Sequence, residues 1–299
     1  STLGAKKMGT CSRPLFFQGF CRFRSAPRHP AAVLVTRDIC SIPPLPPSSG
    51  DGPTLQRVCP RPRCGSSRKP RSSRTFHHGD TARPKHLRDY QILVLPGGFS
   101  YGDDVGAGKV QALYLQHFLS DAMRKFRDQE KLILGICNGF QVMLKAGLIM
   151  PVDEEDGPLA TLTNNDSGHY EDRWIHLQAT PGKCPFLKGV ERLHLPVGHG
   201  EGKFVCRKEW IAKGLEQAGQ VVLRYVDEGG QRGGYPVNPN GAQDDIAGVC
   251  DATGRALGLM PHPDRHLFPT QHPQWTRRGL KAEGDGLAIF RNAVEFFKD

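Results

Sequence analysis

The sequence of 299 residues has no uninterrupted apolar run as long as the roughly 18 residues that a membrane-spanning helix needs, so we expect no membrane span. Acidic residues are scarce in the first third. Residues 1–90 carry 17 Lys and Arg against 4 Asp and Glu, and the rest of the chain carries 23 against 26. The net charge of +10 therefore comes entirely from the first third, and nucleic-acid binding by the rest is not expected.

Residues 1–85 also lack sustained helical or strand periodicity, and they hold 12 of the 24 prolines. Only AAVLVT, residues 31–36, predicts a strand. Three interpretations fit this composition: a disordered basic arm that binds nucleic acid or another anion, an Arg-rich organelle transit peptide, and an out-of-frame translation of the gene.

A zinc site is a fourth interpretation of the first third, and its spacing argues against it. Cys59 and Cys64 precede His77 and His78 at a finger-like distance. Adjacent histidines do not provide the three- to five-residue separation of a finger, so we reject this site and predict no metal. The four cysteines after residue 90 show no disulfide spacing, which is typical of a reducing compartment.

The stretch KLILGICNGFQVML, residues 131–144, carries the clearest chemical signal. The apolar run LIL predicts a buried strand, and the spacing of apolar residues after Gly139 predicts a helix. Cys137 lies on the turn between them, flanked by Gly135 and Gly139. This G-x-C-x-G pattern is the cysteine form of a nucleophile elbow, in which the amino end of the following helix stabilises negative charge on sulfur. A small buried cysteine is the structural alternative.

Strands and helices alternate from Tyr90 onward, which predicts a doubly wound, mostly parallel α/β sheet with flanking helices. The helices are predicted in VQALYLQHFLSDAMRKF, in EWIAKGLEQAG and in DGLAIFRNAVEFF, and at the elbow. The predicted strands are 92–95, the elbow strand, 160–163, 174–179, 192–197, 221–226, 246–250 and 256–260.

The glycines of LPGGFSYGDD follow a predicted strand and suit a site at the carboxyl edge of the sheet. A phosphate-loop interpretation fails because Asp103 stands where the first glycine of that motif is required. Gly97 and Gly98 instead let the backbone approach a substrate closely. We expect the N–H groups of Gly98 and Asn138 to face an oxyanion formed above Cys137.

A cysteine nucleophile needs a base and a group that orients the base, and two His-x-acid pairs are available. His262 and Asp264 follow the apolar strand ALGLM, so they project from a strand end. His199 and Glu201 lie in a glycine-rich loop. We choose His262 as base with Asp264 as its orienting acid, and keep His199 as the alternative base. We expect three further histidines to be solvated or structurally bonded: His194, His266 and His272.

The motifs LPGGFSYGDD, GICNGFQ, LTNNDSG, HGEGKF, NPNGAQDDIAG and GLMPHPDRH closely resemble the glutaminase subunits of phosphoribosylformylglycinamidine synthases, which are class I, triad-type glutamine amidotransferases. The resemblance covers roughly residues 86–299. It implies that Cys137 attacks the side-chain amide of glutamine, that His262 is the general base, and that ammonia passes to a synthetase subunit in purine biosynthesis. Gln141, on the elbow helix, is expected to help hold the glutamine.

The resemblance also implies a cytoplasmic protein that needs no cofactor of its own, because ATP and Mg²⁺ serve the synthetase subunit. A small accessory subunit is expected as a further partner. A catalytically weakened module that only docks on the synthetase is one alternative. A cysteine hydrolase of other specificity is another.

The sequence departs from the family pattern in two places. Asp264 stands where the family has glutamate, and its shorter side chain predicts reduced activity. RVCPRPRCGSS stands where the family has its first buried strand, so we expect the first strand–helix unit to be lost or altered and the edge of the sheet to be exposed. For this reason we favour an out-of-frame origin for residues 1–85, and a domain boundary that leaves residues 86–299 as the glutamine amidotransferase domain.

Overall fold

The computed structural model describes residues 84–99, 106–180 and 182–298, together with two strands nearer the amino terminus. The strands in the described residues are β1 Val33–Thr36, β2 Ser73–Phe76, β3 Ile92–Leu95, β4 Leu132–Ile136, β5 Val152–Asp153, β6 Gly157–Pro158, β7 Ala160–Thr163, β8 Glu171–Ala179, β9 Arg192–His199, β10 Lys203–Cys206, β11 Val221–Val226, β12 Ile246–Cys250 and β13 Ala256–Leu259. The α-helices there are α1 Lys109–Asp128, α2 Asn138–Lys145, α3 Glu209–Gln217, α4 Trp275–Arg278 and α5 Leu287–Glu295.

The main sheet has the strand order β2-β1-β3-β4-β13-β12-β11-β8-β9. Its first half, from β2 to β13, is parallel. Its second half, from β13 to β9, is antiparallel. The prediction of a mostly parallel sheet is therefore wrong for the second half, and the sheet is mixed. The strands there are joined by loops and turns as well as helices, which permits antiparallel neighbours.

The strands that the sequence marked most clearly have the predicted bounds. β3, β7, β11 and β12 match the predicted residues, and β13 is one residue shorter than predicted. Every residue of β3 and β4 is buried, as expected for central parallel strands that are covered on both faces. β8 and β9 extend beyond their predicted ends because they pair with each other over eight positions.

The expected exposed edge of the sheet at β3 is wrong, because a strand pairs there; whether the first strand–helix unit is otherwise altered stays a prediction. β1 lies within the predicted strand 31–36 and pairs in parallel with β3, and β2 lies beyond it. The edge of β3 is thus covered by backbone hydrogen bonds rather than exposed. The other residues before Pro84, including Cys59, Cys64, His77 and His78, lie outside the described residues.

The elbow helix α2 packs against several strands and against another helix. It contacts β4, α1 and the small antiparallel sheet formed by β7 and β10. Phe140 on α2 stacks against Phe204 on β10 with ring centroids 6.2 Å apart, and both side chains are fully buried. The turn that precedes α2 is therefore held firmly from both sides.

No helix in the described residues is long and apolar enough to cross a membrane. Within the same part of the chain, no group of three or more His, Cys, Asp and Glu side chains is arranged to hold a metal ion.

Candidate active site

Cys137 lies at the junction of β4 and α2 in a strained backbone conformation, with φ 51° and ψ −107°. A positive φ is uncommon for a residue other than glycine, and such strain is concentrated at functional sites. The sharp turn raises the residue at the carboxyl end of a central strand, as the nucleophile-elbow interpretation requires.

The two glycines around the cysteine are required by close packing. A Cβ at Gly139 would overlap the backbone carbonyl of Leu95, and one at Gly135 would lie 2.8 Å from the carbonyl oxygen of Gly139. Since the backbone leaves no space for a side chain at either position, the G-x-C-x-G pattern is a steric requirement of the turn.

The thiol of Cys137 is buried, and its Sγ lies 3.6 Å from the carbonyl oxygen of Gly198 on β9. Gly97, after β3, approaches from the other side. A Cβ there would lie 3.3 Å from the Cβ of Cys137 and 2.6 Å from Cε1 of His262. The predicted residues Gly97, Cys137 and His262 are thus brought together from three separate segments of the chain.

His262 is buried beside the thiol, just beyond β13. Its backbone N–H donates to the carbonyl of Pro196 at 2.8 Å, which fixes the loop against β9. Burial, the largest single influence, lowers the pKa of His262, but the charges of Asp264 and Cys137 and the polar contacts of both groups with the ring raise it to about 10. The ring of His262 is therefore held in its protonated, imidazolium form.

Asp264 lies behind His262, in a 3-10 turn formed by Pro263–Arg265. Its Oδ1 is 3.3 Å from Nδ1 of His262, and both side chains are more than 90% buried. Neither atom has a hydrogen-bond partner among the described residues. The contact is therefore electrostatic, without the alignment of a hydrogen bond.

The predicted oxyanion donors are placed at the correct edge of the sheet. Gly98 follows Gly97 after β3 and has φ 141°, a conformation that favours glycine. Asn138 is the first residue of α2, where backbone N–H groups have no partner within the helix. The convergence of these two N–H groups on one substrate oxygen stays a prediction.

Gln141 is buried on α2 and uses its amide within the protein. Its Oε1 accepts from Nδ2 of Asn138 at 3.0 Å, and its Nε2 donates to the backbone carbonyl of Glu201 at 2.7 Å. It therefore ties the elbow helix to the segment after β9. Its predicted contact with glutamine stays a prediction.

His199, the alternative base, is not joined to Glu201. The carboxylate of Glu201 accepts from the backbone N–H of Ala107 at 3.1 Å. Nδ1 of His199 instead lies 3.1 Å from Oδ1 of Asn165. Burial and, next, the charge of His262 lower the pKa of His199 to about 4. His199 is therefore neutral, and among the described residues its Nδ1 faces an amide oxygen rather than a carboxylate.

Asn165 and Asn240 support the site, and sequence reasoning assigned a role to neither. Oδ1 of Asn165 accepts from the backbone N–H of Gly202 at 3.0 Å, and its Nδ2 donates to the carbonyl of His199 at 2.8 Å. Nδ2 of Asn240 donates to the carbonyl of Gly202 at 2.8 Å. The motifs LTNNDSG and NPNGAQDDIAG contain these residues, but only the fold shows that they meet.

The three histidines expected to be solvated or structurally bonded belong to one cluster, in which His266 and His272, from the segment after Asp264, meet His194 on β9. Nε2 of His272 lies 3.2 Å from Nδ1 of His194, and Nδ1 of His266 lies 2.8 Å from the carbonyl of His194. The ring of Trp174 contacts all three. The structurally bonded interpretation is confirmed, and the cluster anchors the segment that follows Asp264.

Comparison with known proteins agrees with this geometry. The profile of the CobB/CobQ-like glutamine amidotransferase domain matches residues 71–297, and the predicted boundary at residue 85 stays a prediction. Phosphoribosylformylglycinamidine synthase subunit PurQ of Dehalococcoides mccartyi is 48% identical over 217 residues, which cover 72% of this chain and 83% of that protein. The PurQ subunit of Methanococcus maripaludis is 42% identical over 229 residues, which cover 72% and 84%.

A solved structure with the same fold is a chain of PurLQS from Thermotoga maritima. It superposes with a TM-score of 0.53 at 30% sequence identity, and the match covers 70% of this chain and 81% of that chain. The elbow cysteine, its histidine partner and these similarities lead to one conclusion: the chain belongs to the family of CobB/CobQ-like glutamine amidotransferase domains.

Proposed function

We propose that this chain is the glutaminase subunit of a phosphoribosylformylglycinamidine synthase. It hydrolyses glutamine to glutamate and ammonia, and the ammonia serves the synthetase subunit in purine biosynthesis. The observation that carries the proposal is the position of Cys137 on a strained turn, with His262 beside it and Asp264 behind His262. The similarity to PurQ subunits supports the choice of pathway.

The first half-reaction forms a thioester. Sγ of Cys137 attacks the side-chain amide carbon of glutamine, and the carbon–oxygen double bond becomes an oxyanion. The N–H groups of Gly98 and Asn138 stabilise this oxygen. The imidazolium of His262 gives its proton to the amide nitrogen, the carbon–nitrogen bond breaks, and ammonia leaves.

The second half-reaction releases glutamate. His262, now neutral, takes a proton from water, and the resulting hydroxide attacks the thioester carbon. The carbon–sulfur bond breaks, which restores the thiolate of Cys137 and the imidazolium of His262, and the new carboxylic acid gives its proton to solvent to form glutamate. Asp264 stabilises the imidazolium in both half-reactions through its charge.

A synthetase subunit and a small accessory subunit are the proposed partners, supported by the similarity to a chain of the PurLQS structure. ATP and Mg²⁺ are proposed to act in the synthetase subunit, so this chain needs no cofactor of its own. A cytoplasmic location is proposed from the same resemblance.

One observation favours a second candidate function, a weakened module that docks on the synthetase. Nδ1 of His262 and Oδ1 of Asp264 are buried without a hydrogen-bond partner among the described residues. A triad with this defect orients its base less firmly. Turnover of glutamine separates the two candidates.

The deciding experiment measures glutamate release from glutamine, with and without the synthetase subunit, for the wild-type chain and for Cys137→Ala. Cys206→Ala is the matched control, because Cys206 is a free cysteine on β10, outside the strand–helix turn that holds Cys137. We expect turnover in the wild type and in the control and none in Cys137→Ala. Equal turnover in all three would exclude a Cys137 mechanism, and no turnover in any would favour the docking module.

A further inference from the structure

Two opposite charges flank Gly198, the residue whose carbonyl lies next to the nucleophile. Asp172 on β8 is the cross-strand partner of Gly198 on β9, so the side chain of Asp172 projects from the same face of the sheet as a side chain at 198 would. Arg265, directly after Asp264, reaches over the same spot. Its Nη1 would lie 2.9 Å from a Cβ on Gly198. Both charged side chains therefore lie beside Gly198, whose carbonyl contacts Cys137.

These two charges form a long ion pair that is not a hydrogen bond. Nη2 of Arg265 and Oδ1 of Asp172 are 3.8 Å apart, and the side chains are 35% and 63% exposed. That separation is too long for a hydrogen bond. Among the described residues, neither charged group makes a hydrogen bond to another partner. The guanidinium and the carboxylate are therefore available to a ligand at the mouth of the site.

Two aromatic side chains form another part of the same mouth. The hydroxyl of Tyr170 would lie 2.9 Å from a Cβ on Gly198, and its ring centroid is 6.3 Å from that of Phe99. Phe99 directly follows the predicted oxyanion glycine Gly98. A side chain at position 198 would crowd both Arg265 and Tyr170, so the glycine leaves space between them.

We propose that Arg265 and Asp172 recognise the two charged groups of free glutamine, Arg265 the α-carboxylate and Asp172 the α-ammonium group. This inference rests on the proposed function, which places the side-chain amide of glutamine at Cys137. Glutamine carries opposite charges on one carbon, two methylene groups from the amide, and this chain carries opposite charges on one face beside the nucleophile. A guanidinium attracts a carboxylate by its charge, and its planar N–H groups also fix the orientation of the carboxylate.

Truncated substrates test each charge separately. 4-Aminobutanamide is glutamine without the carboxylate, and 4-carbamoylbutanoate is glutamine without the ammonium group. We expect Arg265→Gln to raise the KM for glutamine about ten- to a hundredfold, with kcat nearly unchanged, since a charge-assisted contact of this size is lost. The same variant and the wild type should have the same KM for 4-aminobutanamide. Asp172→Asn should raise the KM for glutamine and leave 4-carbamoylbutanoate unaffected.

Two further variants serve as controls. Arg265→Lys keeps the charge and should recover part of the affinity. Arg127→Gln removes an arginine from an exposed ion pair with Asp128 at the end of α1 and should leave both kinetic constants unchanged. All assays include the synthetase subunit.

The inference is overturned if Arg265→Gln leaves the KM for glutamine unchanged. It is also overturned if the variant raises the KM for glutamine and the KM for 4-aminobutanamide by the same factor. A variant that alters only the response to the synthetase subunit would assign Arg265 to the protein interface and also overturn it. Calorimetric binding of glutamine to Cys137→Ala, with and without Arg265→Gln, gives a readout that needs no turnover. A wild type that binds glutamine through Arg265 without hydrolysing it would reject the proposed function and keep the inference.

Discussion

Oδ1 of Asp264 lies 3.3 Å from Nδ1 of His262, and neither atom is hydrogen-bonded within the described residues. The charge of the carboxylate still acts on the ring, since it contributes to the raised pKa of His262. In the proposed triad, we therefore expect Asp264 to stabilise the charge of His262 and to orient the ring less firmly than a hydrogen-bonded acid would.

Lengthening this acid is expected to increase activity. Asp264→Glu adds the methylene that brings the carboxylate into hydrogen-bonding range. The gain in kcat should be about two- to tenfold, the equivalent of one ordinary hydrogen bond of about 0.5–1.5 kcal/mol. Steady-state glutamate release with the synthetase subunit measures it. Asp264→Asn, which removes the charge, should instead lower kcat about a hundredfold or more. Equal rates for all three proteins would show that position 264 does not act on His262.

The elbow is expected to tolerate no side chain at Gly139. In Gly139→Ala the new Cβ would overlap the carbonyl of Leu95, so the turn or β3 must shift. We expect a loss of at least about 1–3 kcal/mol in the free energy of unfolding, measured by urea denaturation. Gly214→Ala on α3 is the matched control, since a Cβ there meets no atom within 4 Å. It should stabilise the protein by about 0.5–1 kcal/mol. A loss as large in the control would refute the steric explanation.

Asn165 is expected to be a structural support of the site. Its buried side chain accepts from Gly202 and donates to two backbone carbonyls. Asn165→Ala leaves these groups unpaired and should reduce the free energy of unfolding by at least about 2 kcal/mol. Asn164→Ala changes the exposed neighbour and should have little effect. Thermal or urea unfolding of both variants measures the difference, and similar losses in the two would contradict the assigned network.

Stability is expected to decrease in acid because several histidines are buried in the neutral form. Burial is the main cause that lowers the pKa of His194 to about 3, and the charges of neighbouring groups, His176 first among them, add to it. Burial also lowers the pKa of His199, to about 4. Both rings ionise near pH 6.5 once the chain is unfolded. The unfolded state therefore binds more protons below that pH, and the stability present above pH 6.5 is lost as the pH falls toward 3.

Melting temperatures between pH 7.5 and pH 4 measure this dependence. His194→Gln should give a shallower decline with falling pH than the wild type. His169→Gln, which changes an exposed histidine, should leave the decline unchanged. A wild-type melting temperature that is constant over this range would exclude the neutral buried histidines as a source of acid sensitivity.

The sequence alone identified the proposed nucleophile and most of the individual elements. β3, β7, β11 and β12 were predicted with their observed bounds, because buried strands are continuous apolar runs that end at turns. Cys137 was identified because its turn needs glycine on both sides, a requirement that depends only on neighbours in the chain. His262 was preferred to His199 because it follows a strand end, and the structure places it beside Cys137.

Only the tertiary structure decided how the strands pair and what surrounds the triad. The antiparallel half of the sheet was missed because strand direction depends on distant partners, not on local pattern. The support that Asn165 gives to His199 and Gly202 joins residues more than 30 positions apart. Asp172, Gly198 and Arg265 likewise meet only after β8 and β9 pair and the 3-10 turn packs over them. Periodicity reports which residues are buried, and long-range packing determines which buried residues touch.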